Sequence, residues 1–143
     1  MGGHIDTWDT GSQTGANDDG GGFMTVFEAL RLLKKNNYIP KRTLRFIAWS
    51  GEEFGAPDNG AQQYRNLHLN ELNNHILAFE SDYGSSRLLG FGIEGSKQGL
   101  SLLKDITSKY LSLINVTVAN EVGEAADTYP LYKCGVPMMA NVV

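Results

Sequence analysis

One cysteine, three histidines and no run of basic residues mark this 143-residue sequence by what it lacks. The lone Cys134 excludes an internal disulfide and leaves the redox compartment open, because single thiols occur in secreted and cytosolic chains alike. No apolar stretch approaches the ~20 residues that a membrane-spanning helix needs, and no signal peptide is expected at the start. A net charge of −4 and a pI near 5.3 give little attraction for nucleic acid or an anionic membrane, so neither is an expected partner. What is present suits one soluble domain over residues 1–143: 41% hydrophobic and 20% charged residues, enough for a sizeable core. No internal repeat or linker interrupts it. Asn115-Val116-Thr117 forms an acceptor sequon, which matters only in the secretory pathway.

The periodicity alternates between strand and helix. A strand over Gly2 to Ile5 enters an acidic, glycine-rich loop. From Gly20, the apolar positions Phe23, Val26, Phe27, Leu30 and Leu33 keep helical spacing until Lys34-Lys35-Asn36-Asn37. A strand over Leu44 to Ser50 follows Pro40, then a helix over Asn59 to His68 and a strand over Ile76 to Phe79. Leu88 to Ile93 reads as a strand, and Ser96 to Leu111 as an amphipathic helix with Leu100, Leu103, Ile106 and Tyr110 on one face. Asn115 to Ala119 reads as a strand, Thr128 to Lys133 as a short helix and Val136 to Val143 as a strand. Such alternation implies an α/β fold with a mostly parallel sheet. Both ends lie in strand-like sequence, so the domain is expected to be incomplete at both ends.

In parallel sheets, ligands bind beyond the carboxyl ends of the strands, and the acids of this chain fall there. His4-Ile5-Asp6 follows the first strand, Glu52-Glu53 the second and Asp82 the third, while Asp18-Asp19 precedes the first helix, whose amino terminus favours negative charge. One histidine and several carboxylates on a single rim suit a two-zinc hydrolase. Two zinc ions ~3.5–4 Å apart can share a bridging carboxylate and a water, each needing two further ligands. A separate carboxylate must stay off the metals to move the proton. Adjacent glutamates at a strand end can divide these tasks because neighbouring side chains diverge. Asp6, two residues past His4, is placed to hold the far ring nitrogen and fix the tautomer.

Four ordered motifs, "GGHIDTWD", "NDDGGG", "PKRTLRFIAWSGEE" and "ESDYG", resemble those of the co-catalytic zinc exopeptidases of the aminopeptidase-like fold, most closely the carboxypeptidase Q branch. The resemblance covers essentially the whole chain. It implies a three-layer α/β/α fold in which His4 and Asp82 bind the first zinc, Asp18 bridges, Glu53 binds the second and Glu52 is the general base. It also implies hydrolysis of dipeptides or short peptides, a secreted or lysosomal setting and a homodimer. The family's second zinc takes a further histidine. His75 lies seven residues before Asp82, about 23 Å away if extended at ~3.3 Å per residue, and His68 belongs on the same far side. The missing ligand is therefore expected beyond Val143, and this chain by itself is expected to be inactive.

Taken singly, each motif has a plainer explanation: a solvated turn at Asp18-Asp19-Gly20, an exposed pair at Glu52-Glu53, a structural histidine at His4. Order and strand-end placement favour the metal reading for the set. Asp127 lines the substrate pocket by its position in the family or caps the late helix. Gly90-Phe91-Gly92-Ile93-Glu94-Gly95 matches the dinucleotide fingerprint in form, but its first glycines fall within a strand, and a strand ending in a turn accounts for it better. His68, His75 and Cys134 are read as structural. Two further functions stay open: a non-catalytic receptor or scaffold of the same fold, and an aminopeptidase or amidase of other specificity.

Overall fold

A computed structural model of the chain describes residues 1–55, 57–82, 84–121 and 127–143; Tyr83, the fourth residue of the "ESDYG" motif, lies outside them. The chain forms strands β1 (Gly2–His4), β2 (Ile47–Trp49), β3 (Ala78–Glu80), β4 (Gly90–Glu94), β5 (Val118–Asn120) and β6 (Met138–Val142). Between them run helices α1 (Gly20–Lys35), α2 (Gly60–Leu67), α3 (Lys97–Ile106) and α4 (Tyr129–Tyr132), with a short 3-10 helix over Leu69–Asn74. The six strands form one sheet in the order β2-β1-β3-β6-β4-β5. Pairing is parallel throughout except between β4 and β6.

That one antiparallel pair decides the dinucleotide question. The carboxyl end of β4, and with it the turn at Gly95, lies on the opposite edge from the ends of β1, β2, β3 and β6. The glycines at 90 and 92 are buried strand residues, and a side chain at Gly90 would run into the Val118 carbonyl of β5. No phosphate cradle forms there.

Alternation along β1 separates the layers. A side chain at Gly3 would meet Asp19 and Phe23 of α1, whereas one at Gly2 would meet Ile47 and Trp49 on the other face. On that second face Trp49, Ala61, Leu72, Ala78, Leu131 and Val136 form the main core beneath α2 and α4. Each large apolar side chain fully buried there contributes ~1.5–3 kcal/mol. With α1 on one face and α2 and α4 on the other, the sheet is the middle of three layers.

Several boundaries differ from the periodicity. The strand expected over Leu44 to Ser50 pairs only over Ile47–Trp49, because β2 is an edge strand matched to the three residues of β1. The helix expected over Ser96 to Leu111 ends at Ile106; a π turn over Thr107–Leu111 and a 3-10 turn over Ser112–Ile114 follow. Its inward face is Leu103 and Thr107, with Leu100 half-buried beside them, so Ile106 and Tyr110 point outward. Thr107 takes the inward position that the apolar pattern assigned to Ile106. Among the described residues, no helix is long and apolar enough to cross a membrane.

Candidate metal centre

The parallel strands end on one edge, and the acids gather around His4 there. His4, the last residue of β1, is fully buried. Its Nδ1 lies 3.0 Å from the Asp6 carbonyl oxygen, which can only accept, so Nδ1 carries a hydrogen. Nε2 faces the rim: Asp18 Oδ1 and Asp82 Oδ1 both stand 3.0 Å from it, and Glu52 Oε2 stands 4.0 Å away. With the tautomer held at Nδ1, the Nε2 lone pair is presented to whatever cation the carboxylates share.

The Asp6 side chain does something other than the expected contact with the ring. Its nearer oxygen is 3.8 Å from Nδ1, beyond hydrogen-bond range, and the tautomer is held by its backbone carbonyl instead. The carboxylate turns to the loop after β2. Oδ1 accepts from the Gly51 N–H at 2.9 Å and the Glu52 N–H at 3.3 Å, and Oδ2 accepts from the Glu53 N–H at 3.1 Å. Asp6 therefore holds the backbone that carries both glutamates.

The loop before α1 brings Asp18 and Asp19 in from the other layer, through a cis Asp18–Asp19 peptide bond. Asp18 is the most open of the acids, its side chain 51% exposed. Asp19 is fully buried and is the N-cap of α1, accepting from the Gly22 N–H at 3.1 Å and from the His4 N–H at 3.1 Å. Glycine is required at position 22, since a Cβ there would fall 1.8 Å from the Ser81 carbonyl oxygen. That contact seats the amino terminus of α1 against the end of β3, between His4 and Asp82. The cap role of Asp19 was missed in the sequence, although Asp19-Gly20 ahead of an apolar helical period is a start signal.

Two three-residue groups have oxygens and a ring nitrogen close enough to share an ion: His4, Asp18 and Glu53, and His4, Asp19 and Asp82. Glu53 Oε1 is buried without a hydrogen-bond partner among the described residues, and the buried Asp82 Oδ1 has the His4 ring nitrogen beside it. One imidazole nitrogen, several carboxylates and an orphaned buried oxygen are the donor set of a divalent cation such as zinc. The residues therefore fit a metal.

The charges record the crowding. Burial opposes protonation of His4, but the hydrogen bond and charge of Asp82, with Asp18 and Asp19, outweigh it and raise its pKa to about 10. Burial, then the Asp82 charge, lifts Asp19 to about 7. Glu52 is raised by burial and by the charges of Asp82 and Glu53, and Glu53 by burial and by the charge of Asp18.

Asp127 is fully buried; burial raises its pKa, the hydrogen bond to the Glu80 carboxyl opposes that, and the charges of Glu52 and Asp82 add to the rise. It does not cap α4: the residue in the cap position is Thr128, and no side-chain cap bond forms. His68 and His75 stay away from the rim. His75 Nε2 lies 2.8 Å from the Tyr64 hydroxyl and His68 stacks on the Tyr64 ring, beneath the opposite edge. Cys134 accepts from Arg65 Nε at 3.2 Å beside the main core.

The family model for Peptidase family M28 matches residues 1–141. Carboxypeptidase Q of Pongo abelii is 41% identical over 135 residues, and those of Xenopus laevis and Homo sapiens are each 39% identical over the same length. In each case the match covers 94% of this chain and 28% of the relative, so the chain spans under a third of these relatives' length. A crystal structure of a Peptidase M28 precursor from Shewanella amazonensis superposes with a TM-score of 0.85 at 28% identity, covering 97% of this chain and 30% of that one.

Proposed function

The chain belongs to Peptidase family M28, and from that premise we propose that it forms the catalytic part of a two-zinc exopeptidase acting on dipeptides or short peptides. The observation that carries the reading is the convergence on His4 Nε2 of Asp18 and Asp82 at 3.0 Å, with Glu52 at 4.0 Å. In this assignment His4 and Asp82 would hold one ion and Glu53 the second, with Asp18 within reach of both. The ions, when bound, supply Lewis acidity to the scissile carbonyl and acidify water.

The protein's own residues do the rest. Asp6 fixes the Gly51–Glu53 backbone, so that Glu52 stays close to the ligands without needing to be one. The raised pKa of Glu52 suits a group that must take a proton from water and return it to the leaving amine. In this reading Asp127, buried beside Glu52, His4 and Asp82, would line the substrate pocket. The reading extends to a homodimer in the secretory pathway or lysosome, where the exposed Asn115 would accept a glycan.

Zinc stoichiometry by elemental analysis and dipeptide hydrolysis, both on the full-length protein, test the proposal. Two zincs with hydrolysis, and a Glu52→Gln variant that keeps the metal and loses turnover, are expected. Loss of zinc from Glu52→Gln would mean that the two glutamates exchange roles, and a wild type with neither zinc nor hydrolysis would favour a scaffold.

A further inference from the structure

One buried acid stands beside the metal-type cluster without belonging to it. Glu80, the last residue of β3, is fully buried. Strand alternation puts it on the face of Ala78, toward the main core and α4. Its Oε2 accepts from the Asp127 N–H at 2.8 Å and the Thr128 N–H at 3.2 Å. Both donors are buried, so water cannot replace the acceptor if it is lost. Glu80 thus does for the start of α4 what Asp6 does for the loop after β2: an acid from one strand fixes a backbone segment that carries another acid.

The segment held is informative. Both carboxylate oxygens of Asp127 are buried and face the Glu80 carboxyl, with Glu52, His4 and Asp82 as further charged neighbours. The two backbone amide bonds and the facing Glu80 carboxyl together keep the acid in that place. We propose that Glu80 is a positioning residue that, through the Asp127 and Thr128 amides, sets where the Asp127 carboxylate stands against Glu52, His4 and Asp82, and so sets substrate affinity. The proposal rests on the peptidase reading for its kinetic assay alone.

The test compares Glu80→Gln, whose side-chain oxygen can still accept both N–H groups, with Glu80→Leu, similar in size but without an acceptor, in the zinc-loaded full-length protein. Glu80→Gln keeps kcat/KM within about threefold, while Glu80→Leu raises KM about tenfold or more at nearly unchanged kcat and zinc content. In an Asp127→Ala background, Glu80→Leu costs less than about twofold more, since the group it positions has gone. Hydrogen exchange at the Asp127 and Thr128 amides quickens about tenfold or more in Glu80→Leu and stays at the wild-type rate in Glu80→Gln.

Equal losses in both Asp127 backgrounds, or unchanged exchange in Glu80→Leu, overturn the proposal, leaving Glu80 a structural staple. If Glu80→Leu does not fold, Glu80→Gln decides: wild-type KM and exchange sustain the proposal, and a raised KM or lost zinc refutes it. A wild type that cleaves no peptide refutes the peptidase reading, and the exchange rates still decide the role of Glu80.

Discussion

Asp6→Ala is the most informative single change at the rim, because the side chain touches no substrate position yet carries the loop of both glutamates. The substitution strips the acceptor from three backbone N–H groups, of Gly51, Glu52 and Glu53, at 2.9, 3.3 and 3.1 Å. A hydrogen bond to a charged group contributes about 1.5–3 kcal/mol net, which for three would sum to ~4.5–9. Two features cut that down: the Glu52 bond is long, and the Asp6 side chain is 16% exposed, so water reaches part of the vacated space. About 3 kcal/mol of stability is the expected loss.

The functional loss should exceed the stability loss. The loop reverses at Gly51, with φ of 78°, and nothing else in the described residues ties the Glu52 and Glu53 amides. A displacement of about 1 Å in a catalytic group costs on the order of 100-fold in rate. Loss of an outer-shell partner costs about 10–100-fold in metal affinity. Asp6→Asn should fall between, since its oxygen can accept from Gly51 and Glu52 while its NH2 meets the Glu53 N–H donor to donor. Denaturant unfolding, zinc affinity and dipeptide kcat/KM on the full-length protein measure all three. Asp6→Ala with zinc affinity and kcat/KM within about threefold of wild type would show that the loop holds itself, and the reasoning would fail.

Asp18→Ala should lose both zincs, since the bridging position serves both; two ions retained at wild-type affinity would assign the bridge elsewhere. Gly22→Ala drives a methyl into the Ser81 carbonyl and should cost about 3 kcal/mol or more, at the top of the overpacking range; an unchanged denaturant midpoint would refute the close approach. The metal-free protein should lose stability as pH rises. The folded pKa values of Asp19, about 7, and His4, about 10, both lie above their ordinary values near 3.8 and 6.5, so the folded state binds the extra proton. The Asp19 contribution falls away between pH ~4 and ~7 and the His4 contribution between ~6.5 and ~10. A thermal midpoint of the chelated protein that climbs from pH 5 to pH 9 would contradict this.

The elements were legible where the sequence was locally self-sufficient. α1 runs over Gly20–Lys35 much as its spacing and basic last turn indicate, and the buried β6 is an apolar run ending as expected. The errors lie where a neighbour decides. β2 is short because β1 is short, and past α3 the inward position is taken by Thr107 of the following π turn rather than by Ile106. Polarity along a helix is a weak guide when one inward position is filled by a small polar residue. The direction of β4 was not legible at all, since periodicity is the same for parallel and antiparallel strands.

At the site, the acids were legible and their partners were not. Strand-end placement depends only on where each strand stops, so His4, Glu52, Glu53 and Asp82 could be assigned to one rim from spacing alone. The roles of Asp6 and Glu80 depend on backbone amides 45 to 48 residues away, which no local pattern encodes. Proximity in sequence suggested the His4 ring for the Asp6 carboxylate; in space the nearer claimants are three N–H groups. An N–H that would otherwise be buried unpaired competes for a carboxylate more strongly than a ring nitrogen that a carbonyl already satisfies. The consequence is a site in which the acids divide by partner. Those whose oxygens take no backbone donor, Asp18, Glu53 and Asp82, are the ones left for an ion. Asp6 and Asp19, and Glu80 through its Oε2, are held by backbone N–H groups and hold the others in place, so a metal chelator should loosen the first set while the second keeps the rim assembled.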